Sequence, residues 1–375
     1  MHQSSRHPPD TERPREPRHR LVRRHAAVLA FGVLVALGTI ATLANPALFE
    51  TPGTSVVDGA WADAYQRALD EASPLLAPSR TVWGVIDLVV FGQGRPGVLV
   101  GADGWLYSAE EYDVVADVPA AIRAWSDTVA AVAARLAEDD IALVVALVPS
   151  KAVMVPDPAP APLPDGARVR YQATLDALHA HGVLAPDLRP ALAEASEHGA
   201  VYLRTDTHWT PHGAQAAARA VARTVAERAP FPGLEATPYR TDTLGAEPLL
   251  GDLSTFLDLG PLAGRIGPRP DLLEVRRTVS LEGPGEDLFA EVSLPVALVG
   301  TSYSADPRWN LPGSLRDALG ADVHEAALSG LGPLEPLERY LASEAFINTP
   351  PEVVVWEIPE RYLTLEGFVP WSASR

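Results

Sequence analysis

The chain has 375 residues, 47% of them hydrophobic, enough to bury a core as one large domain or two small ones. Its formal charge is −18 and it contains no cysteine. These two facts exclude a basic face for a nucleic-acid backbone, a disulfide framework, a thiolate metal site and a cysteine nucleophile.

The charge is unevenly divided. Residues 1–25 carry seven arginines against Asp10, Glu12 and Glu16, a net of 7 − 3 = +4, which leaves −18 − 4 = −22 for the remainder. The run from Ala26 to Leu43 carries no charge, and none follows until Glu50. Eighteen apolar residues behind an arginine-rich tail predict a helix that spans a bilayer, with its N-terminal end in the cytoplasm. A cleaved signal peptide is the competing reading, because Ala41 to Ala44 is rich in small residues. The expected layout is a basic cytoplasmic tail over 1–25, an anchor over 26–44, a juxtamembrane stalk over 45–78 and one large domain over 79–375.

Within the stalk, Trp61 to Glu71 is amphipathic. From Gly97 the sequence V-L-V-G-A-D-G-W-L-Y holds two short strand-like runs around Asp103-Gly104, a hairpin signal. A helix is predicted over Pro119 to Glu138. The apolar, β-branched run Ile141 to Val148 then predicts a buried strand, which ends at Pro149-Ser150-Lys151. Helices follow from about Gly166 to His181 and up to Glu197, with Val183-Leu184 between them. Val201 to Leu203 reads as a short strand. Thr210 and Pro211 then mark a cap and a first helical residue for an Ala-rich helix running to about Ala229. Gly233 to Glu291 is dense in Pro, Gly and Asp and reads as a loop-rich insertion, long enough to be functional or to carry extra structure. The last third predicts strand Val296 to Val299, helix Ser314 to Leu319, strand Val323 to Leu328, helix Leu334 to Ala345 and strand Val353 to Glu357. Strands separated by helices imply parallel βαβ units, hence an α/β fold with a central parallel sheet covered on both faces.

Chemistry concentrates in R-T-D-T-H-W-T-P-H-G-A, residues 204–214. Asp206 and His208 stand just ahead of a helix N-terminus, where active sites of open α/β sheets lie. The strand V-A-L-V runs into Gly300-Thr301-Ser302-Tyr303-Ser304, a turn able to present Ser302 above the sheet. A serine hydroxyl needs a base, and that base needs an orienting acceptor, so Asp206, His208 and Ser302 supply three complementary roles. His208 and His212, four residues apart with Asp206 nearby, leave a zinc or iron site as the rival, although Pro211 starts the helix between them. The chain uses 29 arginines and one lysine. That lysine, Lys151, is a candidate substrate contact at a strand end, or else a plain surface lysine. Trp105, Trp209 and Trp309 are candidates for stacking on sugar rings, or else core.

Six blocks in order carry a resemblance over about residues 90–365: Phe91-Gly92 leading to V-L-V-G-A-D-G-W-L-Y, V-P-S-K at 148–151, T-D-T-H-W-T at 205–210, G-D-L at 251–253, G-T-S-Y-S at 300–304 and V-V-W-E-I-P-E-R-Y at 354–362. Together they resemble the alginate O-acetyltransferase family of AlgJ and AlgX type, whose catalytic domain is SGNH-hydrolase-like. The resemblance implies an acetyltransferase without a cofactor, in which Ser302 is acylated, His208 is the general base and Asp206 orients it. It also implies a membrane-bound O-acyltransferase as acetyl source, an exported polysaccharide as acceptor, and a single-pass inner-membrane protein with its catalytic domain in the periplasm. The Ser302 N–H is one expected oxyanion donor, with the Ser329-Gly330 turn as a second source and Tyr303 a further candidate at the site. The chain ends soon after the last block, which places it nearer the AlgJ type. An acetyl esterase with the same residues, a metal-dependent hydrolase and a non-catalytic polysaccharide-binding protein are the alternatives.

Overall fold

The computed structural model describes residues 18–49, 59–228, 237–281, 294–364 and 371. Most of the basic tail and both ends of the predicted insertion lie outside the described residues. The chain divides into two compact units, Met1–Trp83 and Gly84–Arg375.

In the first unit a helix runs over Arg18–Leu43 and another over Ala60–Ala72, the latter on the amphipathic stretch read from the sequence. Most apolar side chains of the first helix are exposed, among them Val28, Phe31 and Ile40. Among the described residues no single helix is long and apolar enough to cross a membrane by itself, the apolar part of the first being Val28–Leu43. Helix Leu76–Ile86 leads into the second unit.

The second unit opens with an antiparallel pair, β1 (Val98–Val100) and β2 (Leu106–Ser108), joined by a turn at Ala102–Gly104 in which Asp103 and Gly104 take positive φ. Asp117 caps the next helix, Val118–Ala137, by accepting from the Ala120 N–H at 2.8 Å. Its residues Ile122, Trp125, Val129, Val132 and Leu136 recur every three or four positions and face the core. Strand β3 is Ala142–Val148. After helices Asp165–Ala180, Leu188–Ser196 and Pro211–Arg228 come β4 (Tyr239–Leu249) and β5 (Asp271–Ser280), a long antiparallel pair. The insertion read as loop-rich therefore carries a two-stranded sheet. Its alternating polar and charged residues, with Pro248 and Gly245 inside a strand, concealed the strand pattern.

Strands β6 (Val296–Val299), β7 (Val323–Glu325) and β8 (Val353–Pro359) complete a four-stranded sheet ordered β3-β8-β6-β7, all parallel. The chain reaches β8 last and inserts it between β3 and β6, so its residues are buried on both faces. Alternate side chains enter two cores. On one side Val144, Val148, Leu298 and Val355 pack with Trp209 and the Pro211–Arg228 helix. On the other, Val145, Leu147, Val299 and Trp356 pack with the helices that contain Trp125 and Tyr171. The parallel α/β expectation holds. Helix Leu334 to Ala345 is in fact two helices, Leu334–Leu341 and Glu344–Asn348, because Ser343 caps a new start by accepting from the Phe346 N–H.

Val201 to Leu203 forms no strand of this sheet. The Leu203 N–H donates to His208 O at 3.1 Å and the Thr210 N–H to Val201 O at 2.9 Å. The segment therefore closes a tight loop on itself, with Asp206 at its tip, instead of adding to the sheet edge. Val183-Leu184 likewise contributes one bridge, Leu184 to Val144.

Candidate active site

Strands β3, β8 and β6 all end at one edge of the parallel sheet, and each delivers a polar segment there: Ser150-Lys151, Glu360-Arg361 and Thr301-Ser302. In an open α/β sheet this edge is where ligands bind. After Val299 the chain turns through Gly300 and Thr301 into a short helix, Ser302–Ala305. A Cβ at Gly300 would meet Glu357 Oε2 at 2.5 Å and Glu357 Cβ at 2.8 Å. Glycine is required there for space, not for a positive φ.

At the tip of the 203–208 loop, Asp206 Oδ1 accepts from His208 Nδ1 at 2.6 Å and from the His208 N–H at 3.0 Å. The other imidazole nitrogen, Nε2, lies 2.7 Å from Ser302 Oγ. With Nδ1 protonated and bonded to the acid, Nε2 is left as the acceptor that faces the serine. Asp206 and His208 are buried, while Ser302 remains partly open to solvent. Burial acts to raise the Asp206 carboxyl, but the hydrogen bond and charge of His208 outweigh it and hold that carboxyl at about 2. The constellation is a hydroxyl, a base within reach of its proton, and an acid that orients the base.

The loop is fastened from several sides. Asp271, the first residue of β5, accepts from the Arg204 and Thr205 N–H groups at 2.9 Å each and from the Thr205 hydroxyl at 2.6 Å. Asp252 accepts from the Thr207 N–H at 2.8 Å and its hydroxyl at 2.5 Å, and its own N–H donates to Asp206 Oδ2 at 3.1 Å. Gly251 approaches so closely that a Cβ there would lie 2.4 Å from Asp206 Cβ.

Lys151 is fully buried, and its Nζ donates to Leu106 O at 2.5 Å, Asp206 O at 2.9 Å and Arg204 O at 3.1 Å. All three ammonium protons have protein acceptors, so this lysine is a clamp under the loop and neither a substrate contact nor a surface residue. Burial pushes its pKa down to about 8, against the pull of Glu111. Trp209 is also buried, its Nε1 donating to Tyr303 O at 3.1 Å, and it is core rather than a sugar platform. Tyr303 is buried with its hydroxyl donating to Thr207 O at 2.7 Å and its ring 4.6 Å from the imidazole. It ties the serine turn to the histidine loop and has no free donor for substrate. Ser329 and Gly330 lie in an exposed turn, and among the described residues no hydrogen bond joins either to Ser302 or His208. His212 turns toward the preceding helix, where its Nε2 meets Ala195 O at 2.9 Å, so the two histidines do not converge. Asp206, His208 and Asp252 do bring ligand-type atoms within 4.8 Å of one another. Yet both imidazole nitrogens are already engaged, by Asp206 and by Ser302.

The model of the SGNH hydrolase-like domain of acetyltransferase AlgX matches residues 98–360. The probable alginate O-acetylase AlgJ of Pseudomonas syringae pv. tomato is 40% identical over 317 residues, 83% of this chain and 80% of that protein. The chain belongs to the SGNH hydrolase-like acetyltransferase family. AlgJ of Pseudomonas aeruginosa is 36% identical over 355 residues, 91% of this chain and 90% of that one. Among solved structures, the O-acetyltransferase domain of Pseudomonas putida AlgJ superposes with a TM-score of 0.66 at 38% identity, covering 73% of this chain and 96% of that one. Pseudomonas aeruginosa AlgX gives 0.53 at 26% identity, over 70% and 61% of the two chains.

Four residues at this site carry roles that the sequence reading missed. Asp252 sits inside the quoted G-D-L block, and Asp271 opens a strand that was not foreseen. Trp309 stacks on the His208 ring at 5.1 Å and donates from Nε1 to Ser302 O at 3.1 Å. Glu357, fully buried on β8, accepts from the Thr301 N–H at 2.7 Å, the Thr301 hydroxyl at 3.1 Å and the Ser304 hydroxyl at 3.0 Å. A glutamate inside a run of Val, Trp and Ile on a buried strand was the available signal.

Proposed function

We propose that this chain O-acetylates an exported, alginate-like polysaccharide through an acetyl-serine intermediate on Ser302. The observation that carries the reading is the continuous relay from Asp206 through His208 to Ser302, with separations of 2.6 and 2.7 Å. The names of its AlgJ relatives support the acceptor. His208 Nε2 takes the proton of Ser302 as Oγ attacks the acetyl carbonyl, and returns it to the departing oxygen of the donor. The tetrahedral oxyanion is met by the Ser302 N–H, which opens a short helix and so has no partner within it. A sugar hydroxyl then gives its proton to His208 and attacks the acetyl-serine carbonyl, and Ser302 leaves with that proton. Asp206 keeps the imidazole in the required tautomer and stabilises its charged form.

The same reading places the chain as a single-pass inner-membrane protein, with its catalytic unit in the periplasm and a membrane-bound O-acyltransferase as its acetyl source. Support comes from the uncharged run over 26–43 behind seven arginines, and from the exposed apolar side chains of the Arg18–Leu43 helix, which suit lipid better than water.

The test is intact mass of the full chain after brief exposure to a chromogenic acetyl ester, followed by peptide mapping and then by addition of alginate oligomers. One acetyl on Ser302, passed to the oligomer, is the expected result. A Ser302→Ala protein that labels at the wild-type rate, or release of acetate to water with no acetylated oligomer, would overturn it.

A further inference from the structure

Alginate is a polymer of uronic acids, so an acceptor of that kind brings one carboxylate per sugar toward a chain whose own charge is −18. Long-range repulsion opposes that approach unless a local cation meets it. The acids at the site sharpen the problem. The Asp252 carboxylate is exposed and lies 4.0 Å from His208 Nδ1, and Asp306 stands four residues beyond Ser302.

Arg308 lies among them. It belongs to a turn, Pro307–Trp309, that is locked to the reacting groups, because Trp309 stacks on the imidazole and donates to the Ser302 carbonyl. The Arg308 guanidinium lies over the Trp309 ring at 4.8 Å, and its side chain is 42% exposed. Asp306 holds one edge of the fork: Nε donates to both carboxylate oxygens at 3.0 Å and Nη2 to one at 2.5 Å. Among the described residues Nη1 has no hydrogen-bond partner. A guanidinium stacked on a buried indole and fixed along one edge has lost little further freedom when it binds an anion. The ring it covers is the one that stacks on the His208 imidazole, so Trp309 links the guanidinium to the base. Lys151 is fully buried and occupied, and Arg361, its side chain 8% exposed, pairs with Glu110 and donates to the Tyr303 hydroxyl.

Resting on the function proposed above, we propose that Arg308 receives a carboxylate of the acceptor, so that the acetyl-enzyme selects a polyuronate over a neutral glycan. The carboxylate would bind the unbonded Nη1 side while a hydroxyl of the same or the adjoining ring approaches the acetyl group on Ser302. Arg308 makes no bond to the reacting atoms and acts on which acceptor is held.

The test compares two acceptors on the acetylated full chain: alginate oligomers, and the same oligomers with their carboxyl groups chemically reduced to alcohols. The quantity read is the ratio of kcat/KM for the two, in which general damage to the enzyme cancels. The wild type should favour the charged oligomer. Arg308→Gln should lower that ratio about tenfold, mainly through KM for the charged oligomer, as the loss of a charge-assisted hydrogen bond predicts. Arg308→Lys, which keeps the charge without the fork, should recover part of it. Equal losses on both acceptors, an unchanged ratio in Arg308→Gln, or a wild type indifferent to carboxyl reduction would overturn the proposal while acetyl-Ser302 still formed. Failure of acetyl-Ser302 to form at all in the wild type would instead remove the reading on which it rests.

Discussion

Ser302 and His208 meet at 2.7 Å, but the two backbone segments that carry them are held in different ways. The serine turn continues a central strand and is pinned from below by an acceptor, the buried Glu357 carboxyl group, which accepts from Thr301 and Ser304. The histidine loop belongs to no strand. It is pinned from below by a cation, Lys151, which donates to the carbonyls of Leu106, Arg204 and Asp206, and from the side by Asp252 and Asp271. One segment inherits its position from the sheet and needs a single side chain to shape its exit. The other has no sheet bonds to lean on, so its N–H and C=O groups are satisfied one at a time by distant side chains.

The largest expected effect therefore falls on the loop. Lys151→Met keeps most of the volume but leaves three carbonyls without their donor and leaves the fully buried Glu111, which accepts from the Lys151 and Ala152 N–H groups, with Arg361 as its remaining cation. Removing the donor of three largely buried carbonyls costs about 3–5 kcal/mol. Denaturant unfolding should show that loss, with ester turnover lost alongside. A Met variant within about 1 kcal/mol of wild type would mean the carboxylates alone hold the loop.

On the serine side, Glu357→Ala removes one acceptor from three buried donors and should cost about 3 kcal/mol. Glu357→Gln should recover much of it, because burial raises the Glu357 pKa and favours its neutral form, which an amide resembles. If Gln proved as damaging as Ala, a full negative charge under the turn would be required, and the two sides would be alike in depending on charge.

How much of this was legible from sequence follows the same division. Strands β3, β6 and β8 were visible as short apolar runs, and G-T-S at the end of β6 was visible as a strand exit, because local composition dictates both. Asp206 and His208 were legible because they are two residues apart and already bonded to each other. Lys151, Asp252 and Asp271 were not legible as supports. Their partners lie 45 to 67 positions away, and nothing in the periodicity of a sequence records a side chain bonding to a distant backbone. Trp209 and Tyr303 were read as possible substrate contacts because a motif does not tell which of its members face inward.

Acid should loosen the loop before the turn. The folded Asp206 carboxyl, at about 2, lies below the ordinary aspartate value near 3.9. The unfolded chain therefore binds more protons between these values. The contribution of Asp206 is complete above about pH 4 and is lost as the pH falls toward about 2, on the order of 2 kcal/mol. Unfolding free energies from pH 5 to 2 should fall less steeply in Asp206→Asn than in wild type. Parallel slopes would show that the His208 bond carries no such linkage.

The smallest effect expected is also the one that best separates the two hydroxyls of the serine turn. Ser302 Oγ faces the imidazole, whereas Ser304 is buried and its Oγ donates to Glu357 Oε2 at 3.0 Å. Ser304 thus spends its hydroxyl proton on Glu357 and not on the imidazole. It is one of the donors that hold the Glu357 carboxyl under the turn, and the Thr301 N–H, at 2.7 Å from the same oxygen, remains when it is removed. Ser304→Ala should therefore cost about 1 kcal/mol, the net worth of one buried hydrogen bond whose acceptor keeps another donor. The acetyl group should still appear on Ser302, at a rate within a few-fold of wild type. Combining Ser304→Ala with Glu357→Ala should add little to the glutamate variant alone, since the bond is already gone. Denaturation of the two single variants and the double completes that cycle. Full additivity would mean that Ser304 stabilises the turn by a contact other than Glu357, and an acetyl group mapped to Ser304 would reverse the assignment of the nucleophile.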